Sequence, residues 1–343
     1  MTIELTRSAD FSGRFIEWVR GKGNILIVAH DNPDPDSLAA AMALKHLILV
    51  KTGQKATVTY GGIIGRGENK MMVQKLEIKS EPIDRIDLDR FQVVCMVDTQ
   101  PGTGNNSFPA DRPVHLVIDH HPAQGVCVNC QWVDIRENYG ASASILFEYL
   151  LAQNVTINTK LATILFYAIK SETQDLGREW CKADREAYLH LVPLANNRIL
   201  FDITHPEVPR EYFASYSRAI RNARTYGDVL VFNLFAIDNP DMVAEMTDFL
   251  LRADGITAAL GIGYHQGMGI LSFRTLSHDL KSGDLMKMVV GDLGTAGGHG
   301  MIAGGQIRPM SADPVLQKEL QNTLTLRLLE LLGRKKIRGR KLV

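Results

Sequence analysis

A chain of 343 residues is long enough for two domains rather than one small core. Lys+Arg and Asp+Glu balance at 38 each, so no global field draws in a long polyanion, and an anionic ligand must be held by local groups. With 45% hydrophobic and 22% charged residues, no apolar run of bilayer length and no apolar leader in Met1–Asp10, a cytoplasmic globular protein without membrane contact is expected.

Taken in chain order, Asn24–Ala29 is a short continuous apolar run that predicts a buried parallel strand. Ser37–Val50 predicts an Ala-rich helix capped by Asp36 or Ser37. Strands follow at Lys55–Tyr60, Phe91–Val97 and Val114–Ile118, and helices at about Ala141–Gln153, Thr159–Ser171 and Lys182–Leu191. This alternation predicts an α/β fold built on a doubly wound parallel sheet with helices on both faces. Residues 1–193 form that domain in this reading. The breaker-rich stretch 194–227 is a linker with a bridging helix near Glu211–Tyr226. Residues 228–343 form a smaller mixed-sheet domain. It has strands near Val229–Ala236, Thr257–Tyr264 and Met268–Thr275, and helices near Met242–Arg252, Asp284–Val290 and Pro314–Leu332. A ligand site is expected in the cleft between the two domains.

Four cysteines are too few for a disulfide scaffold, and Cys127 and Cys130 lack the second pair that a structural zinc site needs; they read as incidental. The tail Arg334–Lys341 carries six cations and reads as a solvating, disordered end. Trp18, Trp132 and Trp180 form no stacking stripe and are assigned to core or interface.

Chemistry concentrates at predicted strand ends. His30, Asp34 and Asp36 crowd a Pro-containing turn directly after the first strand, at the edge where open α/β sheets bind ligands. Asp98 ends a second strand, and Asp119-His120-His121 ends a third. A helix cap explains one Asp, but not carboxylates and imidazoles at three strand ends on one edge. A cation that neutralises their mutual repulsion explains all of them at once. The mixture of nitrogen and oxygen donors suits Mn²⁺, Fe²⁺, Co²⁺ or Zn²⁺ better than an all-oxygen site does. Asp175 follows an apolar helix in an Asp-x-Gly loop, which by itself is a weak signal.

His-x-x-x-Asp-x-Asp-Ser (His30, Asp34, Asp36, Ser37), Asp98, Asp119-His120-His121 and Asp175, in this order, resemble the motifs of the DHH phosphoesterases. Thr295–Gly305 resembles the Gly-Gly-Gly-His motif of the DHH-associated substrate domain. The closest resemblance is to two-domain enzymes that degrade very short RNA, 3′-phosphoadenosine 5′-phosphate or dinucleotides. It implies two divalent ions, manganese first, with magnesium, cobalt, iron or zinc as alternatives. One would sit on His30, Asp34 and Asp98. The other would sit on Asp36, Asp98, His120 and Asp175, with Asp98 bridging. Asp119 would orient His120, and His121 would lie by the scissile phosphate. Arg274, in Ser272-Phe-Arg274, with Gly297, Gly298 and His299, would hold substrate phosphate. Pro35 stands where the family often has Gly, and Ala296 replaces the first glycine of the second motif.

Such a pair of ions, about 3.5–4 Å apart, would activate a water for in-line attack on phosphorus. The expected activity is hydrolysis of short oligonucleotides or dinucleotides, with 3′-phosphoadenosine 5′-phosphate as a further substrate. A polyphosphate- or pyrophosphate-cleaving enzyme and a non-catalytic nucleotide sensor are the alternatives. The resemblance also allows a homodimer, which the sequence does not itself show.

Overall fold

The computed structural model describes residues 3–123 and 130–343, without the side chains of residues 3, 4 and 299. Cys127 lies outside the described residues. The chain divides into two compact units, Met1–Pro206 and Glu207–Val343.

The first unit runs α1 (Ile3–Val19), β1 (Ile25–Val28), α2 (Pro35–Thr52), β2 (Ala56–Tyr60), α3 (Gly67–Lys75), β3 (Glu81–Pro82), β4 (Val93–Val97), β5 (Leu116–Asp119), β6 (Trp132–Ile135), α4 (Ser142–Ala152), α5 (Thr159–Glu172), α6 (Lys182–Leu191) and α7 (Asn197–Thr204). Among the described residues its sheet has six strands, all parallel, in the order β3-β2-β1-β4-β5-β6. That order reverses between β1 and β4. The carboxyl ends of these two strands therefore flank the crevice where doubly wound sheets bind ligands. His30 follows β1 and Asp98 follows β4.

Side chains alternate across the sheet. Ile25 and Ile27 face a large core shared with α1, α2, α4 and α5. Leu26 and Val28 face a smaller one closed by Phe108, Val114 and the segment Ile83–Phe91. Helices were expected on both faces. Among the described residues the smaller core takes none of its side chains from an α-helix. The β4–β5 connection carries Pro101, Gly102, Gly104, Pro109 and Pro113 and crosses as a loop, and the β3–β4 connection crosses as two 3₁₀ turns that begin directly after Pro82.

Asp34 caps α2, two or three residues earlier than the expected Asp36 or Ser37: its Oδ1 accepts from the Ser37 N–H at 2.9 Å. Pro35 then falls at the first helical position, where a missing N–H costs nothing and a fixed φ helps. Gly53 ends the helix in the left-handed region, φ 75°.

The second unit runs α8 (Arg210–Asn222), β7 (Arg224–Tyr226), β8 (Val229–Ala236), α9 (Asp241–Leu250), β9 (Ala258–His265), β10 (Met268–Thr275), α10 (Ser282–Val290), β11 (Gly294–His299), β12 (Ile302–Ile307), α11 (Pro314–Leu331) and β13 (Arg340–Lys341). Its sheet is mixed, in the order β11-β12-β10-β9-β8-β7-β13, with β8–β9 parallel and its other pairs antiparallel. Val229 and Val231 face a core with α10 and α11, and Leu230 and Phe232 face one with α8 and α9. The stretch read as a linker holds two helices: α7 in the first unit, and α8 packed on the sheet of the second. The basic tail is not a free end. It returns as β13 against β7.

Candidate metal centre

Four chain segments deliver the site. The turn after β1 brings His30, Asp34 and Asp36; Asp98 directly follows β4; Asp119 ends β5 and His120-His121 follow it; α5 ends in Glu172. Asp98 sits at the middle. Its Oδ2 is 3.5 Å from His30 Nε2, and its Oδ1 is 3.4 Å from His120 Nε2 and 3.6 Å from His121 Nδ1. His30 Nε2 also lies 3.5 Å from Asp34 Oδ1, and His120 Nε2 lies 3.9 Å from Asp36 Oδ2. Two donor groups follow, His30–Asp34–Asp98 and Asp98–His120–His121, each with ligand atoms within 4.8 Å of one another. Asp98 belongs to both.

Backbone geometry holds these groups in place. Asp98 has φ 57°, left-handed for a non-glycine residue. Such a conformation costs roughly 1–3 kcal/mol, and the surrounding fold must enforce it. His120 Nδ1 donates to the Tyr139 carbonyl at 3.1 Å, which leaves Nε2 for the centre. At the start of α4 the Ser142 and Ala143 N–H groups donate to the two oxygens of Asp36, at 2.7 and 2.8 Å, and Ser142 Oγ donates to Asp98 Oδ1 at 3.0 Å. The single segment 139–143 thus fixes three members of the cluster.

The charges are crowded. Burial, then the Asp34 charge, pushes Asp36 up to about 7, and the same two causes push Glu172 up to about 7. Burial and the neighbouring Asp36 hold Asp98 well above the usual carboxylate range. Burial alone would lower His30, but the adjacent Asp34 carboxylate more than offsets it and raises it to about 9. Burial lowers His120, and its neighbour His121 adds to that. Carboxylates that resist ionisation beside imidazoles with inward nitrogens are the donor chemistry a divalent cation relieves.

Two expected roles change. Asp119 does not orient His120. Its Oδ1 accepts from His121 Nδ1 at 2.8 Å and from the His121 N–H at 3.1 Å, while its Oδ2 accepts from Gln100 Nε2 at 2.8 Å. Asp119 therefore aims His121, and Tyr139 aims His120. Asp175 does not join the cluster. It is exposed, φ 57°, in a loop of three consecutive left-handed residues; both its oxygens accept from Lys170 Nζ at 2.5 Å, and its Oδ1 accepts from Tyr188 Oη at 3.0 Å. Glu172, one residue before the helix cap Thr173, is near enough to the cluster that the charges of Asp34, Asp36, His120 and His121 act on it. The signal was in the sequence. Glu172 stands three and seven residues after Ile169 and Leu165, on the buried stripe of α5.

In the second unit, Ile302 of β12 pairs with Arg274 of β10 on one side and with His299 of β11 on the other. The two expected phosphate-binding positions therefore share one register row. Arg274 is buried; its Nε donates to Asp248 Oδ1 at 2.7 Å and its Nη1 to the Phe273 carbonyl at 2.9 Å. The His299 side chain lies outside the described residues. Gly298 has φ 155°, and a Cβ there would stand 2.3 Å from the Ile302 carbonyl oxygen, whereas Gly297 faces open space.

Residues 24–169 match the DHH family, N-terminal domain. Over 319 residues, 91% of this chain, the sequence is 33% identical to an uncharacterized protein of Methanocaldococcus jannaschii, and it spans 65% of that protein's length. A second uncharacterized protein of the same organism is 21% identical over 315 residues, 89% of this chain and 93% of its own length. Among solved structures, an exopolyphosphatase-related protein from Bacteroides fragilis shares the fold. Its TM-score is 0.72 at 13% identity, covering 94% of this chain and 98% of that one. Among the described residues no helix is long and apolar enough to cross a membrane.

Proposed function

From the match of residues 24–169 to the DHH family, N-terminal domain, we propose that the protein is a two-metal phosphodiesterase acting on short nucleotide phosphates, of the kind that degrades very short RNA or dinucleotides. The observation that carries this reading is Asp98, buried, left-handed and common to both donor groups. One ion, manganese first, is assigned to His30, Asp34 and Asp98. The second is assigned to Asp36, Asp98 and His120, with Glu172 in the role first given to Asp175.

When bound, such ions activate a water and stabilise charge developing on phosphoryl oxygens. The chain's own residues do the rest. Tyr139 and the start of α4 preset the donors, so little reorganisation accompanies reaction. His121 is the more open of the paired imidazoles, at 30% side-chain exposure against 6% for His120. Held by Asp119, it is placed to donate a hydrogen bond or a proton to a substrate oxygen. In the second unit, Arg274, Gly297, Gly298 and His299 are assigned to a substrate phosphate. A chain with no net charge suits a substrate of few phosphates better than a long polymer.

The test is an assay of manganese-loaded protein on a diribonucleotide, linear and cyclic dinucleotides, 3′-phosphoadenosine 5′-phosphate, pyrophosphate and a long RNA strand. Preferential turnover of a dinucleotide is expected. Equal turnover of the long strand, or a preference for pyrophosphate, refutes the short-nucleotide assignment.

A further inference from the structure

The carboxyl-terminal segment Arg334–Val343 carries six cations and no acidic residue. Two are neutralised: Arg334 Nε on Asp228 Oδ1 at 2.8 Å, and Lys335 Nζ on Glu330 Oε1 at 2.6 Å. Lys336, Arg338, Arg340 and Lys341 are exposed and make no ion pair among the described residues. A free tail would let such charges spread apart in solvent. Here the chain folds back and gathers them. β13 pairs with β7 in the register Arg340↔Thr225 and Lys341↔Arg224, and the Leu342 N–H donates to the Ala223 carbonyl at 3.1 Å. Gly339 fixes the path, since a Cβ there would stand 2.6 Å from the Tyr226 ring.

The register sets Lys341 directly opposite Arg224, and like charges in that position are destabilising. Lys318 of α11 is a third cation on this face: burial, then the Arg224 charge, holds it below the usual lysine range. Successive residues of a strand point to opposite faces, so Arg340 and Thr225 lie on the other side. There, Thr225, Gly227, Ile337, Arg338, Gly339 and Arg340 line an open cavity of about 670 Å³ with two arginines and no carboxylate. Charge on an edge strand discourages strand pairing, but either sign does that. Edge protection does not account for cations of one sign packed opposite one another, on both faces, without counter-ions.

We infer that β13, β7 and the approach to them form an anion site for the phosphates of a single-stranded nucleic acid. Arginine forks match phosphate oxygens, and the concave pocket accepts one phosphate of a flexible chain. Cations on both faces of one edge strand suit a ligand that can bend around that edge. A planar anionic membrane meets only one face. The site lies in the second unit and does not depend on the metal centre or on the phosphoesterase reading.

The experiment uses the full chain in EDTA and a fluorescein-labelled oligouridylate, read by anisotropy across a salt series, with Arg338→Glu/Arg340→Glu and Asp98→Asn variants and thermal melts as a folding control. The parent and Asp98→Asn should bind alike, and the double variant should bind at least about tenfold more weakly. Each phosphate contact on a single strand contributes about 0.7 to the log–log salt slope, so losing two flattens it by about 1.4. Unchanged affinity and slope in the folded double variant overturn the inference. So does loss of binding in Asp98→Asn, which would put the RNA at the metal centre, and so does binding of phosphatidylserine vesicles in place of the oligonucleotide. If the double variant fails to fold, Arg338→Gln/Arg340→Gln gives the same reading without charge reversal.

Discussion

Replacing Arg136 should destabilise the first unit and loosen its metal centre together. The guanidinium is 3% exposed. Nε and Nη2 donate to Asp134, Nη1 donates to Glu148 Oε2 at 2.7 Å and to Tyr139 Oη at 3.0 Å, and Nη2 reaches Ser8 Oγ at 2.8 Å. Arg136→Met removes the charge from between two carboxylates. Asp134 keeps Arg7 and the Tyr149 hydroxyl, but Glu148 keeps only the hydroxyls of Ser8 and Tyr139. Breaking a buried pair by removing one partner costs about 3–5 kcal/mol. At roughly 2–4 °C per kcal/mol for a unit of this size, Tm should fall by roughly 6–20 °C. The second consequence runs through Tyr139, whose N–H donates to the Arg136 carbonyl at 2.9 Å and whose own carbonyl holds His120. Loss of such support typically costs about 10–100-fold in metal affinity. Melts with EDTA and manganese titration well below Tm separate the two effects. Tyr139→Phe keeps the carbonyl and loses one hydroxyl, so it should cost less, about 1–3 kcal/mol. A large Tm drop in Arg136→Met with unchanged manganese affinity refutes the link from this network to His120, and no drop at all refutes the buried network.

Three further outcomes follow from the site. Glu172→Gln should weaken manganese binding by about 10–100-fold, while Asp175→Asn should leave it near wild type; the reverse order in calorimetric titration restores Asp175 as the ligand. Asp36 and Glu172, each near 7, are raised above their unfolded values. The stability they contribute is therefore full below about pH 4 and is lost as pH rises through about 7. His30, raised to about 9, has the same sign at higher pH. Metal-free protein should lose stability from pH 5 to 8 while manganese affinity rises, so the Tm gap between manganese-loaded and EDTA-treated samples should widen with pH; a constant gap removes these carboxylates from the ligand set. In the second unit, Gly298→Ala should destabilise by at least about 1–3 kcal/mol, because its backbone is strained for any side chain and its Cβ meets the Ile302 carbonyl, whereas Gly297→Ala should fold normally. Equal melting of the two variants would show that the close approach at Gly298 is not needed.

What the sequence showed and what it hid divide along physical lines. β1, β4, β5, α2, α4 and α5 were legible because burial on both sides makes a strand or helix apolar throughout, and such runs need no partner to be recognised. The hairpin β11–β12 was not, since Gly294, Gly297, Gly298, Gly304 and Gly305 erase the alternation that marks a strand. Their backbones pack so closely that a Cβ on Gly283 of α10 would stand 2.2 Å from the Gly298 carbonyl oxygen. The strand-end ligands were legible for a similar reason: a His or Asp right after a buried run has no solvent-side explanation. Asp175 failed that criterion. It lies past the end of its helix, where an exposed loop offers it Lys170 and Tyr188, while Glu172 continues the apolar stripe and is reached by the charges of the cluster.

The supports of the site were illegible for a deeper reason. Tyr139 acts through its carbonyl, and Ser142 and Ala143 act largely through their N–H groups, which every residue but proline carries. Sequence reports side chains, and here Asp36 and His120 are aimed by main chain. What holds that main chain in place is again side-chain chemistry. Arg136 is one anchor. The Asp184 carboxylate is another, with its Oδ2 on the Gly140 N–H at 2.8 Å. Gly140 itself is required because a Cβ would meet the Glu179 carbonyl oxygen at 2.6 Å. Substitutions at 136, 140 and 184 should therefore alter metal binding although none of the three is a ligand, and the sequence positions most informative about this centre lie one step outside its motifs.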